Sequence, residues 1–181
     1  MSMPLSLQIP VLQTERLTLR GHRPEDLPAG LEMWSHPRVT RFIGGRAFTE
    51  TETWTKTLRY VGHWALMGFG YWLVEETATK RFVGDVGLAD FKRGFGAEYE
   101  GLPEMGWALS PECHGKGYAT EAVQAALRWA QENLPHERTI CFVATDNPAS
   151  LRVAEKVGYR EIARLEPDGE PLIAFERSNR S

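Results

Sequence analysis

The chain has 181 residues, enough for one domain that buries roughly two thirds of the surface of its unfolded state, and no shift in composition divides it. It carries 21 basic and 24 acidic residues, a formal charge of −3, and the basic residues are scattered along the sequence. Because neutralising phosphates requires clustered Lys and Arg, this argues against a nucleic-acid scaffold. We expect a single domain over residues 1–181.

The two cysteines, Cys113 and Cys141, are expected to be free thiols. The sequence has no secretory leader and no apolar run long enough to cross a bilayer, which predicts a reducing, cytoplasmic location. The histidines lie too far apart to suggest a metal cluster, so no metal is predicted.

Alternating apolar and polar residues over residues 14 to 20 predict a strand with Leu17 and Leu19 on its buried face. Pro24 suits the first position of the helix that follows.

A second helix is predicted over residues 50 to 66. Thr49 and Glu52 form a Thr-x-x-Glu capping box at its start, and Gly68 is expected to end it. Its expected apolar stripe consists of Trp54, Leu58, Val61 and Ala65.

Two β-rich runs, residues 69 to 75 and 82 to 90, predict a hairpin, and a longer connection from 92 to 103 follows. Later segments predict an alternation of strands and helices, and hence a mixed α/β sheet. These are strands at 104–109, 139–144, 159–164 and 172–176, and helices at 119–130 and 148–157.

The most informative segment is the glycine-rich loop at 113–118, which joins a strand to a helix. Gly115 and Gly117 let the backbone turn tightly, and the first turn of the helix presents N–H groups that have no partner within it. Together with the helix dipole, these donors suit a phosphate or diphosphate.

Two familiar phosphate loops fit poorly. A Walker A loop needs Ser or Thr directly after its Lys, where Gly117 follows Lys116. A dinucleotide fingerprint needs Gly or Ala where Thr120 stands.

Residues 114 to 119 instead resemble the (Gln/Arg)-x-x-Gly-x-(Gly/Ala) signature of the GCN5-related N-acetyltransferases, the GNAT family. Residues 104–111 resemble the family's fourth strand, and 147–159 its second acetyl-CoA motif. The opening at 12–27 resembles the branch that acetylates ribosomal-protein N-termini, the RimJ/RimL-like branch.

The resemblance implies the acyl-CoA N-acyltransferase fold: a mostly antiparallel sheet of six or seven strands, with about four flanking helices. The family's fourth and fifth strands, here 104–109 and 139–144, would splay apart around the pantetheine. Residues 1–10 and 178–181 are expected to be flexible.

The resemblance also implies that acetyl-CoA is the co-substrate. Its contacts are expected from the fourth strand, the glycine loop with the helix start, and the second motif. These residues are Trp107, Ala108, Leu109, His114, Gly115, Lys116, Gly117, Tyr118, Ala119, Thr120, Asn147 and Ser150. We expect Trp107 to act through its backbone, with a side chain that is a plain core aromatic, and we expect Asn147 to cap a helix, to contact pantetheine, or both.

Ser150 is the candidate acid for the coenzyme A thiolate, with protonation by ordered water as the alternative. Many relatives use a Tyr seven residues after the motif's Asn, where this chain has Ala154. Glu104 is the first-choice general base, because burial raises the pKa of a carboxylate, and Asp85 is the second choice.

The predicted activity is acetyl transfer from acetyl-CoA to a primary amine, a ribosomal or other protein N-terminus or a small amine, within a ternary complex. The protein is expected to act as a monomer or homodimer. A non-catalytic acyl-CoA-binding sensor with the same fold is the alternative.

Overall fold

The computed structural model describes residues 7–179, which contain eight strands in one sheet and five α-helices. The strands are β1 (Leu12–Gln13), β2 (Leu17–Arg20), β3 (Tyr71–Glu76), β4 (Phe82–Ala89), β5 (Glu104–Leu109), β6 (Arg138–Ala144), β7 (Arg160–Leu165) and β8 (Leu172–Ser178). The helices are α1 (Leu27–Ser35), α2 (Pro37–Thr40), α3 (Glu50–Met67), α4 (Tyr118–Asn133) and α5 (Pro148–Lys156).

The strand order is β1-β2-β3-β4-β5-β6-β8-β7, and every neighbouring pair is antiparallel except β5 with β6. This confirms the predicted mixed α/β sheet. The sheet has eight strands, where six or seven were expected, because the predicted strand at 14–20 is interrupted: the Thr14 N–H donates to the Leu17 carbonyl, and Thr14 Oγ1 accepts from the Leu17 amide. The resulting turn folds residues 12–13 back onto β2.

Helix α3 begins and ends where the sequence predicts. Thr49 Oγ1 accepts from the Glu52 amide, Glu52 accepts from the Thr49 amide at 2.8 Å, and Gly68 ends the helix with φ of 72°. The buried face was predicted wrongly, because Leu58 of the expected stripe is 52% exposed.

The residues that α3 buries are Thr53, Tyr60 and Trp64. Both aromatic residues contact Tyr71 of β3. Trp64 Nε1 donates to the Tyr71 carbonyl at 2.9 Å, and the Tyr60 ring stacks on the Tyr71 ring with centroids 4.2 Å apart. The apolar pattern of Trp54, Leu58, Val61 and Ala65 therefore selected the stripe beside the buried one.

Helix α4 packs its small apolar residues against the sheet and helps to form the main core. Its buried residues are Ala122, Val123, Ala125, Ala126, Leu127 and Ala130. Cys113 and Cys141 are buried free thiols, as predicted.

Residues near both ends of the described range contact the rest of the domain. Ile9 packs against it, the Pro10 carbonyl accepts from Trp72 Nε1 at 2.7 Å, and the Asn179 amide donates to the Glu137 carbonyl. Residues 1–6 and 180–181, which belong to the ends expected to be flexible, lie outside the described residues. Within residues 7–179, no helix has the length and apolar character needed to cross a membrane.

The separation of β5 from β6 positions the site. Their ladder contains one pair, Glu104 with Ile140, after which the strands diverge. Each is held on its other side, since β5 pairs with β4 and β6 pairs with β8 along their lengths. The predicted splay of strands 104–109 and 139–144 is therefore confirmed, and it opens a gap in the sheet.

Candidate active site

A cleft of about 1220 Å³ runs along β5 and past the start of α4. It is lined by residues from both candidate groups, the predicted acetyl-CoA contacts and the predicted catalytic pair. These are Glu104, Trp107, Ala108, Leu109, His114, Gly115, Gly117, Tyr118, Ala119, Thr120, Asn147 and Ser150. Lys116 does not line the cleft.

The glycine loop has the backbone geometry that its sequence suggests. Gly115 and Gly117 have φ of 76° and 80°, in the left-handed region that disfavours other residues, and Gly117 is the N-cap of α4. In the part of the chain that is described, the backbone N–H groups of residues 117–120 donate to no protein acceptor. They form a cradle of donors at the positive end of a 16-residue helix.

Arg16 and Thr14 hold the start of α4 through Glu121. Glu121 accepts from Thr14 Oγ1 at 2.6 Å and pairs with the Arg16 guanidinium at 2.6 Å. Arg16 Nη1 also donates to the Lys116 carbonyl at 2.9 Å, so one side chain ties loop and helix together. Sequence reasoning missed this role, since Arg16 and Glu121 are 105 positions apart in the sequence and leave no local signal.

His114 supports the end of β5. Its Nε2 lies 2.8 Å from the Leu109 carbonyl oxygen. Because a carbonyl oxygen can only accept, Nε2 is the donor. This contact fixes the turn between β5 and the glycine loop.

Asn147, Ser150 and Trp107 meet across the gap between β5 and β6. Asn147 is the N-cap of α5, and its Oδ1 accepts from the Ser150 amide at 3.1 Å. The Trp107 indole Nε1 donates to Ser150 Oγ at 3.2 Å. Trp107 packs against the core, as predicted, but its N–H also gives the side chain a polar partner that sequence reasoning missed. Ala154 is buried in the core.

The candidate base Glu104 is buried and ion-paired. Arg93 donates to both of its carboxylate oxygens, at 2.7 and 2.6 Å. Burial nevertheless raises the pKa of Glu104 above its usual range, and Arg93 opposes the shift. The second choice, Asp85, does not line the cleft. Its two carboxylate oxygens accept hydrogen bonds from Trp34 Nε1 and His22 Nε2, at 2.9 Å each.

Alternate residues of β5 face two different environments. Trp107 points toward Ser150 on α5, on the side where Met105 and Leu109 join the main core. On the other face, Glu104 meets Arg93, and Ala108 packs with Trp34. At the centre of that face, a Cβ on Gly106 would lie 1.9 Å from the Tyr71 hydroxyl. We call this second face, with the residues of α1, α3 and the 91–95 loop that cover it, the acceptor side.

The acceptor side is aromatic and cationic. Lys56 Nζ lies 4.1 Å from the centroid of Trp34, and the Arg59 and Arg93 guanidiniums lie 4.8 and 4.9 Å from that of Phe91. Sequence reasoning missed Lys56, which lies one helical turn before the buried Tyr60 on α3, and Arg59, which directly precedes Tyr60.

The model of the acetyltransferase (GNAT) domain matches residues 16–160. YnaD of Bacillus subtilis, an uncharacterised N-acetyltransferase, is 30% identical over 149 residues, which cover 82% of each chain. A crystal structure of a GNAT-family acetyltransferase from Bordetella pertussis superposes with a TM-score of 0.83 at 28% identity, over 94% of this chain and all of the other.

The ribosomal-protein-S5-alanine acetyltransferase of Vibrio fischeri has a TM-score of 0.77 at 17% identity, covering 94% of this chain and 97% of the other. That likeness concerns the fold alone. The family match spans the β5 strand, the glycine loop and the second motif described above. The chain belongs to the GNAT family and is an N-acetyltransferase that uses acetyl-CoA.

Proposed function

We propose that the diphosphate of acetyl-CoA binds the glycine loop and the start of α4, and that its pantetheine enters the gap between β5 and β6. The unpaired backbone donors of residues 117–120 carry this assignment, because amides already in place bind an anion without rearrangement. Trp107, Ala108 and Leu109 of β5 then offer backbone groups to the pantetheine amides. Lys116 lies at the loop's exposed side and adds a positive charge near it.

The co-substrate supplies the acetyl thioester, and the protein positions it for attack by a neutral amine. A β5 backbone N–H donates to the carbonyl oxygen as charge develops there. Ser150 donates a proton to the departing thiolate. The contact with Trp107 supports this role, since an indole N–H can only donate, which leaves the serine hydroxyl proton for another acceptor.

Asn147 holds the Ser150 backbone through its cap and contacts the pantetheine with its amide nitrogen. Glu104 is the proposed base, acting through water on the acceptor ammonium. Its raised pKa supports the assignment, and the Arg93 pair keeps the carboxylate in a fixed orientation.

The acceptor is a primary amine, on a protein N-terminus or a small molecule. Transfer occurs in a ternary complex of the cytoplasmic protein. The opening at 12–27, which resembles the branch that acetylates ribosomal-protein N-termini, supports a protein N-terminus as one candidate.

Thiol release from acetyl-CoA, measured over a panel of peptides, amino acids, polyamines and aminoglycosides, tests this proposal. We expect turnover with at least one amine and a fall of about tenfold or more in kcat for Ser150→Ala at unchanged acetyl-CoA affinity. Ser110→Ala is the control, because Ser110 is buried beyond the end of β5 and does not line the cleft. Unaltered kcat in Ser150→Ala would remove Ser150 as the acid.

A further inference from the structure

The acceptor side of the cleft carries more positive charge than the protein around it can neutralise. Lys56, Arg59 and Arg93 all line it, and Glu104 is the carboxylate that pairs with Arg93. Among residues 7–179, no carboxylate forms an ion pair with Lys56 or Arg59. This local excess contrasts with the formal charge of −3 for the whole chain.

Aromatic packing holds these cations in place. Lys56 Nζ lies over the ring of Trp34, with those of Phe48 and Tyr60 within 5.5 Å. Arg59 and Arg93 approach the same ring, Phe91. Lys56 is partly buried, so its charge is incompletely solvated and an anion beside it would be favourable, whereas Arg59 and Arg93 are exposed.

The carboxylates of Glu104 and Asp85 form their hydrogen bonds with other residues and not with Lys56 or Arg59. Glu104 already accepts two hydrogen bonds from Arg93, and both oxygens of Asp85 are occupied by His22 and Trp34. Lys56 and Arg59 can therefore pair with an anionic group of a ligand.

We propose that the acceptor is a primary amine that also carries a carboxylate, which binds between Lys56 and Arg59 while the amine approaches β5 at Gly106. This inference rests on the proposed acetyltransferase function and specifies its substrate class. The aromatic rings suit an amino acid or a short peptide with an apolar side chain.

The same charges assist the chemistry. A cationic environment disfavours a second cation, so it lowers the pKa of the acceptor ammonium and increases the neutral fraction that can attack. A polyamine gains nothing from Lys56 and Arg59 and is repelled by them. An amino acid offsets this repulsion through its carboxylate.

Thiol release with matched pairs of acceptors tests the proposal. Each amino acid or dipeptide in the panel is paired with its C-terminal amide, and spermidine is added. We expect at least one carboxylate acceptor to exceed its amide about tenfold or more in kcat/KM. The C-terminal amide is a stringent control. Its amine is less basic than that of the carboxylate acceptor, so a larger fraction is neutral and reactive at pH 7.

The variants Lys56→Met and Arg59→Gln should raise KM for the carboxylate acceptor about tenfold relative to KM for its amide. Lys56→Arg should keep most of the activity. Arg128→Gln, an exposed arginine on α4 that does not line the cleft, is the control. Calorimetry of the acceptor against the coenzyme A complex gives a second readout, in which Lys56→Met should weaken binding by the same factor.

Amides or spermidine that match or exceed every carboxylate, or unchanged KM in both variants, would overturn this inference and leave the acetyltransferase proposal intact. Failure of every amine to release thiol would overturn both.

Discussion

The indole Nε1 of Trp107 and the hydroxyl of Ser150 lie 3.2 Å apart across the gap between β5 and β6. This contact joins the strand expected to hold the pantetheine to the helix whose cap, Asn147, belongs to the second motif. In the proposed mechanism it orients Ser150 with its proton available and stabilises negative charge that develops on Oγ.

Trp107→Phe tests this relationship. Removing the N–H takes away one hydrogen bond, worth about 0.5–1.5 kcal/mol, so kcat should fall by a factor of roughly two to thirteen. Acetyl-CoA affinity should change little, since the backbone of residue 107 is retained. Trp129→Phe is the matched control, because Trp129 packs in the core on α4, away from the cleft. An equal fall in kcat in both variants would contradict a specific role for the Trp107 N–H.

Gly115→Val tests the diphosphate site. Gly115 and Gly101 have nearly the same φ, 76° and 74°, and a Cβ on either meets no atom within 4 Å. The two valine variants should therefore lose similar stability from backbone strain. Gly115→Val should in addition weaken acetyl-CoA binding by about tenfold or more, since its side chain obstructs charge-assisted bonds worth ~1.5–3 kcal/mol each. Equal acetyl-CoA affinities, measured by calorimetry, would contradict the placement.

Glu121→Gln tests the tie between β2 and α4. Burial opposes ionisation of Glu121, but hydrogen bonds from Thr14 and Arg16 lower its pKa below the ordinary value. Its charge therefore stabilises the fold above the unfolded-state pKa, and this contribution is lost as the pH falls through the lower folded-state pKa. We expect Tm to fall at pH 7, by an amount that corresponds to about 0.5–1 kcal/mol, and the difference to vanish at acid pH.

Thermal unfolding at pH 7 and near pH 3 measures that difference. Glu112→Gln, at an exposed position before the same loop, should leave Tm unchanged at both pH values. A Tm deficit in Glu121→Gln that persists undiminished at acid pH would show that the charge is not responsible.

The charge of Lys56 should appear in the pH dependence of acceptor binding. Burial, together with Arg59 and Arg93, lowers the pKa of Lys56 to about 8, and Asp85 opposes the shift. Burial raises the pKa of the neighbouring Tyr60, which therefore stays neutral. Lys56 is cationic at pH 7 and loses its charge above about pH 8. KM for a carboxylate acceptor should rise from pH 7 to 9, and Lys56→Arg should remove that rise. The same increase in both proteins would exclude Lys56 as its origin.

The sequence predicts this fold well where signals are local. The Thr49–Glu52 capping box, the glycines at 115 and 117, and the alternation at Leu17 and Leu19 each depend on neighbouring residues, and each lies where expected. The prediction that β5 and β6 splay apart depended on the family resemblance. No local sequence pattern indicates that two adjacent strands lack hydrogen bonds along most of their length.

Contacts between distant segments could not be predicted. Glu121 is held by residues more than 100 positions earlier, and Arg93 reaches Glu104 only because the 92–103 connection folds back. The buried face of α3 was missed because Tyr60 and Trp64 bury amphipathic rings: Trp64 Nε1 donates to the Tyr71 carbonyl of β3, and Tyr60 stacks on the Tyr71 ring. Lys56 and Arg59 were missed for the related reason that charged residues on a helix usually face solvent.

A crystal structure of the protein with coenzyme A tests the central claim most directly. We predict that the diphosphate oxygens accept hydrogen bonds from the backbone N–H groups of residues 117–120 and that the pantetheine lies along residues 107–109. A diphosphate bound elsewhere, with those amides facing water and the gap between β5 and β6 empty, would contradict the account.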